Sequence, residues 1–114
     1  DPESGAELAA LLRASIDVDR IVIHPNDGAA CSSEAGTVYV PGPFCQQPLI
    51  STGAGDHFGA GCLAGSLLGL DDTGILLTGV AASGYFVRSG TSPDFGRMLD
   101  LFQAWREGSL PERL

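Results

Sequence analysis

Six of the 16 glycines in this 114-residue chain fall between Gly53 and Gly69, in a stretch that otherwise reads as helix. Phe58, Cys62, Leu63, Leu67 and Leu70 recur there at helical spacing as far as the polar break at Asp71-Asp72. Glycine weakens a helix interior by roughly 0.5–1 kcal/mol relative to alanine, because its backbone loses more freedom on folding. A helix so rich in it must put the bare backbone to use. Gly59, Gly61, Gly65 and Gly69 are expected to let the helix pack closely on a sheet or a neighbouring helix. Gly53 and Gly55 sit where loop becomes helix, and there a missing side chain lets a ligand reach the backbone amides.

The first N–H groups of a helix have no intrahelical acceptor, and the aligned peptide dipoles add positive potential at that end. Together these make an anion site. Asp56 falls in the first turn of this helix. An acidic residue there can simply complement the dipole. Beside Gly53-Ala54-Gly55, however, a carboxylate and a bare amide cradle lie within one turn. Phosphoryl transfer asks for charge stabilisation at the moving phosphate and a carboxylate to orient and deprotonate the attacking hydroxyl. The constellation fits that chemistry.

The rest of the chain supplies short, well-punctuated elements. Glu7 to Ala14 carries Leu8, Leu11 and Leu12 at helical spacing, with Ser4 as the expected cap. Asp17 to Asp19 form a polar break. Arg20 to Ile23 reads as a buried strand, and His24-Pro25-Asn26-Asp27-Gly28 as a tight reversal. Ala29 to Ser33 and Thr37 to Val40 read as strands of a hairpin turning at Glu34-Ala35-Gly36. Residues 41 to 50 are interrupted by Pro41, Pro43 and Pro48 and read as loop. Thr73 to Val87 and Pro93 to Arg106 complete the set as helices, the second punctuated by Pro93 near its start and Gly108 beyond its end. Helix, strand, hairpin and then packed helices predict an α/β layer architecture.

Composition removes several function classes. The net charge is −8, with six arginines and no lysine. So acidic a surface speaks against nucleic acid or an anionic membrane as partner. Without lysine there is no Walker-type phosphate loop, so a phosphate site here relies on backbone amides, arginine or a metal. The apolar runs Phe58 to Leu70 and Ile75 to Val87 fall short of the roughly 20 residues that span a bilayer. Cys31, Cys45 and Cys62 form no Cys-x-x-Cys pair and have no histidine at ligand spacing, so they are expected to be small buried thiols. An odd, scattered set of this kind predicts a reducing, cytoplasmic compartment. The chain begins with Asp1 and has one methionine, Met98, so it is expected to be part of something longer.

The run from Ser51 to Gly61, Ser-Thr-Gly-Ala-Gly-Asp-His-Phe-Gly-Ala-Gly, resembles the second signature of the PfkB (ribokinase-like) carbohydrate kinases. That pattern is Asp-Thr-Thr-Gly-Ala-Gly-Asp-x-Phe followed by small residues. The resemblance implies an α/β fold in which residues 1–114 are the C-terminal, nucleotide-binding and catalytic portion of a ribokinase-like α/β/α sandwich. It implies Asp56 as the catalytic base and Gly53, Ala54 and Gly55 as the anion hole. Ile21 to Ala29 resembles the strand and glycine turn on the nucleotide side, which implies nucleotide contacts from Asn26 and Gly28. Ala81 to Gly90 resembles the small-residue helix ending in Arg-x-Gly that flanks the adenine region. Gly79 stands where many members carry asparagine near the adenine. Arg88 reads as solvating a helix end, with a phosphate contact as its alternative, and His57 as a partly exposed helix histidine.

The implied activity is ATP-dependent phosphorylation of a hydroxyl on a sugar, a nucleoside or a related small molecule, with magnesium (Mg2+) offsetting the phosphate charge. Ile50 stands where the family has an aspartate that contributes to a monovalent-cation site, so the resemblance does not carry that site over. The acceptor-binding half belongs to the family's N-terminal part. The isolated chain is therefore expected to be inactive, with apolar surface covered by that missing portion or by self-association as a homodimer. Two rivals remain. The altered turn at His24 to Gly28 and Ile50 keep open a non-catalytic or degenerate nucleotide- or phosphate-binding module of the same fold. Gly53-x-Gly55-x-x-x-Gly59 could be a dinucleotide fingerprint, but it lacks a firm preceding strand, and Asp71 and Asp72 sit in a break between helices.

Overall fold

The computed structural model describes residues 1–114. Helix α1 spans Pro2–Ser15, strands β1 Arg20–Ile23, β2 Gly28–Ser33 and β3 Gly36–Pro41, and helices α2 Ala54–Leu67, α3 Asp72–Ser89 and α4 Phe95–Arg106. The three strands form an antiparallel sheet in the order β1-β2-β3. Val22 pairs with Cys31 across one seam, and Cys31 with Val38 across the other.

Every residue of β2 is buried. Its sequence, Gly-Ala-Ala-Cys-Ser-Ser, is small throughout because both faces are covered. Ala29 and Cys31 join Val40 in a core with Phe58 and Cys62 of α2 and Ile75, Leu76 and Val80 of α3. On the alternate face, Ala30 meets α1 near Gly5. The layers are therefore α1, sheet, and the α2–α3 pair, with α4 added through Met98 and Leu101 against Ala81, Ala82 and Tyr85. At the end of the sheet the Asp72 carboxylate accepts from Arg20 Nε at 2.8 Å and from the Ser33 hydroxyl. Burial alone would raise the Asp72 pKa, but these two hydrogen bonds and the arginine charge outweigh it and hold the carboxyl below its ordinary value.

Several boundaries differ from the sequence reading. The cap of α1 is Asp1, whose carboxylate accepts from the amides of Glu3 and Ser4; Ser4 itself lies inside the first turn. The strand β1 is an edge strand and not a buried one, with Val22 exposed. Gly28 opens β2 instead of closing the turn, and a side chain there would strike the Tyr39 ring. Asp71 and Asp72 do break the helices, but as the cap and first residue of α3. Pro93 precedes α4, whose cap is Asp94. Cys31 and Cys62 are buried thiols that burial pushes up to about 11 and about 12. Cys45 departs from that pattern: it is part-exposed and donates to the Glu112 carboxylate at 3.2 Å.

The glycines of α2 divide. A Cβ on Gly61 would lie 2.8 Å from the Gly79 Cα and 2.9 Å from the Ala82 Cβ, and one on Gly65 would lie 3.1 Å from the Ile75 Cα. Gly59 and Gly69 meet nothing within 4 Å, so close packing is not their reason. Gly69 instead takes the left-handed φ of 75° in the turn after the helix. No helix is long and apolar enough to cross a membrane. Leu8 and Leu11 on α1, Leu63 and Leu67 on α2 and Leu99 on α4 are all exposed.

Candidate functional site

No side chain caps the start of α2. Gly53 caps the helix with φ 97°, a left-handed conformation that disfavours any side chain, and offers no side-chain hydrogen bond of its own. The first helical bond runs from the His57 amide to the Gly53 carbonyl at 3.1 Å. The Ala54 amide is turned back onto the Ser51 carbonyl at 3.1 Å. The amides of Gly53, Gly55 and Asp56 find no acceptor within the protein. Of the three residues expected to cradle an anion, Gly53 and Gly55 therefore present free donors, whereas the amide of Ala54 is already used. A Cβ on Gly55 would meet nothing within 4 Å, so the approach is open.

Asp56 follows, exposed in the first turn. It lies at the rim of a groove of about 420 Å³ shared with His57, Ala60, Pro93, Phe95 and Met98. His57 is half-buried and bonded at both ring nitrogens: Nδ1 lies 2.8 Å from the Gly53 carbonyl and Nε2 2.8 Å from the Ser92 hydroxyl. A carbonyl only accepts, so Nδ1 carries the proton; in the neutral ring Nε2 then accepts from Ser92. The ring stacks on Phe86 at 3.8 Å. Phe86 also backs the Gly53 turn, 3.3 Å from where a Cβ would stand. The histidine read as a helix-surface residue thus ties the cradle to α3 and to the loop before α4. Its position directly after Asp56 was the only sign of this in the sequence.

A second cleft, of about 370 Å³, reaches the cradle at Ser51 and Ala54. Asn26 and Gly28 line it, as do Val80, Ser83, Gly84 and Val87 of α3 and the loop from Gly42 to Pro48. His24, at its edge, stacks on Phe58 at 4.0 Å, and burial lowers its pKa. Gly79 does not line the cleft. It faces α2, where a side chain would lie 2.6 Å from the Cys62 Sγ and 2.7 Å from the Phe58 ring. Ser83 and the Gly42–Pro48 wall were not singled out by sequence reasoning. The proline-rich composition of that loop marked it as irregular without saying what it lines.

Arg88 neither solvates a helix end nor is free for phosphate. It is 2 % exposed and spends its guanidinium on four carbonyls: Pro43 at 2.8 Å, Phe44 at 2.9 Å, Gly84 at 3.0 Å and Pro111 at 2.8 Å. Nowhere do three or more His, Cys, Asp or Glu side chains gather as a metal site.

A family model described as prokaryotic ketohexokinase matches residues 1–105. A ketohexokinase from Haloferax volcanii is 34% identical over 96 residues, covering 78% of this chain and 26% of that protein. The chain thus spans about a quarter of the length of this relative. Among solved structures, an apo-form E. coli protein assigned as ribokinase II superposes with a TM-score of 0.74 at 22% identity, over 85% of this chain and 33% of that one. A nucleoside kinase from Methanocaldococcus jannaschii, an archaeal member of the ribokinase family, gives 0.66 at 22% identity, over 73% of this chain and 29% of its own.

Proposed function

This chain belongs to the prokaryotic ketohexokinase family, among the ribokinase-like PfkB kinases, and from that we propose that it is the nucleotide-binding and catalytic portion of an ATP-dependent sugar kinase. The observation that carries the reading is the start of α2, where the free amides of Gly53 and Gly55 and the carboxylate of Asp56 share one turn. The transferred phosphoryl group would be held on those amides, with the Asp56 amide as a third donor. Asp56 would take the proton from the attacking hydroxyl. The Haloferax relative points to a ketohexose as the acceptor. ATP would lie in the cleft of Asn26, Gly28, Ser83 and Val87, its phosphates directed along Ser51 and Ala54 toward the cradle.

Magnesium belongs with ATP in this chemistry, where it neutralises phosphate charge. The residues of this chain do not form a cage for it, so the phosphates and groups outside these residues would hold it. The acceptor pocket would come from the part of the relative that this chain does not match. The exposed leucines of α1, α2 and α4 and the open edge of β1 would be covered by that part.

The test is phosphate transfer from ATP to fructose and a panel of sugars by the complete kinase and its Asp56→Asn variant. Turnover should fall by about 10²–10⁴-fold, with ATP binding kept. Equal turnover by the two would end the base assignment. ATP binding without turnover on any sugar would favour a binding module. The 114-residue chain alone should phosphorylate nothing, and robust turnover by it would refute the division of the site.

A further inference from the structure

The loop that walls the second cleft contains no helix or strand, and it lines the cleft with Gly42, Pro43, Phe44, Cys45, Gln46 and Pro48. Such a segment is ordinarily mobile. Here the carbonyls of Pro43, Phe44 and Gln47 and the amide of Gln47 are taken up by charged side chains from outside it. Arg88 donates to the Pro43 and Phe44 carbonyls, and the same guanidinium reaches the Pro111 carbonyl. The Glu112 carboxylate accepts from the Gln47 amide at 3.0 Å and from the Cys45 thiol. Arg113 donates to the Gln47 carbonyl. The Leu114 amide returns to the Arg88 carbonyl at 3.4 Å, which closes the ring of bonds.

We propose that Arg88 and Glu112 are positioning residues for the nucleotide, holding the Pro43–Gln47 segment in the shape that forms one wall of its cleft. This rests on the reading of that cleft as the ATP site. Neither residue touches the reacting atoms. Their contribution is pre-organisation: a wall already fixed does not have to be ordered when the ligand binds. The signature is selective. Nucleotide affinity depends on the clasp, whereas the chemical step at Asp56 and the affinity for sugar do not.

The experiment uses the complete kinase and measures binding of N-methylanthraniloyl-ATP together with KM for ATP, KM for sugar and kcat. Glu112 is exposed, so Glu112→Ala tests the clasp without emptying the core. It should weaken nucleotide binding and raise KM for ATP about tenfold, the equivalent of one charge-assisted hydrogen bond. The sugar KM and kcat should stay within about twofold of wild type, a shift too small to equal a lost bond. Glu112→Gln keeps an oxygen that can accept from the Gln47 amide and should recover most of the affinity. Arg88→Lys should follow Glu112→Ala, because an ammonium cannot span carbonyls on three segments.

Asn26→Trp, at the exposed mouth of the cleft, separates two failures. If it abolishes nucleotide binding while Glu112→Ala leaves KM for ATP unchanged, the clasp is structural only and the proposal is overturned. If Asn26→Trp also leaves binding intact, the cleft is not the ATP site and both readings fall. Parallel losses in kcat and both KM values with Glu112→Ala would likewise refute a positioning role.

Discussion

Helix α2 uses glycine for opposite purposes in its middle and at its start. In the middle, Gly61 and Gly65 have no room for a methyl group, because the backbone of α3 at Thr78, Gly79 and Ile75 fills the space. In the first two turns, Gly55 and Gly59 face open space, and nothing beyond their chain neighbours and the helix's own backbone lies within 4 Å of where a methyl would stand. The residue type is the same, but the missing atom is replaced by the fold in one case and by nothing in the other. An absent side chain that the protein does not fill weakens the helix without improving packing. At Gly55, beside free amides, a ligand is the natural reason for it; at Gly59 the structure supplies no reason.

The sharpest way to break this contrast is Gly61→Ala. The added methyl would stand 2.8 Å from the Gly79 Cα and 2.9 Å from the Ala82 Cβ, with the Thr78 carbonyl closer still. A backbone carbonyl and Cα cannot rotate away, so α2 and α3 must separate. The expected loss is about 3 kcal/mol, at the upper end for an overpacked core, read as a lower denaturant midpoint in the complete protein. A loss below about 0.5 kcal/mol, the level of an ordinary surface substitution, would mean that the helices have room and that the division of the glycines is wrong.

How much of this was legible beforehand follows from which signals are local. The strands, the hairpin and the four helices could be read because burial periodicity and turn residues act over a few positions. The cap at Asp1 was missed in favour of Ser4, although Pro2 directly after it is a preferred first helical residue and marks the true start. The division of the glycines was not, because spacing places Gly59 and Gly61 in one helix without saying which side meets α3. Gly79 illustrates the same limit. A helix turns by about 100° per residue, so Val80 lines the cleft while its neighbour Gly79 packs against Phe58. Arg88 was least readable. Its partners are carbonyls of Pro43, Phe44 and Pro111, and carbonyl direction leaves no mark in a pattern of side chains.

Gly55→Ala and Gly59→Ala form the finer test, because stability and activity should part company. Neither residue has positive φ, and neither methyl meets an obstacle. Alanine should therefore stabilise the helix by about 0.5–1 kcal/mol at each position, through the backbone entropy that glycine loses on folding. Gly55 is different only if its bare Cα matters to the phosphate. The methyl would then crowd the approach to the Gly55 and Asp56 amides and reduce kcat by about tenfold, less than the removal of an oxyanion donor itself. Gly59 lies one turn further along, so Gly59→Ala should keep full turnover. Equal activity in the two variants, both more stable than wild type, would show that an open glycine on this helix need not serve a ligand. Activity lost only at Gly55, with a gain in stability at both, would tie the cradle to the first turn and to the phosphate it is proposed to hold.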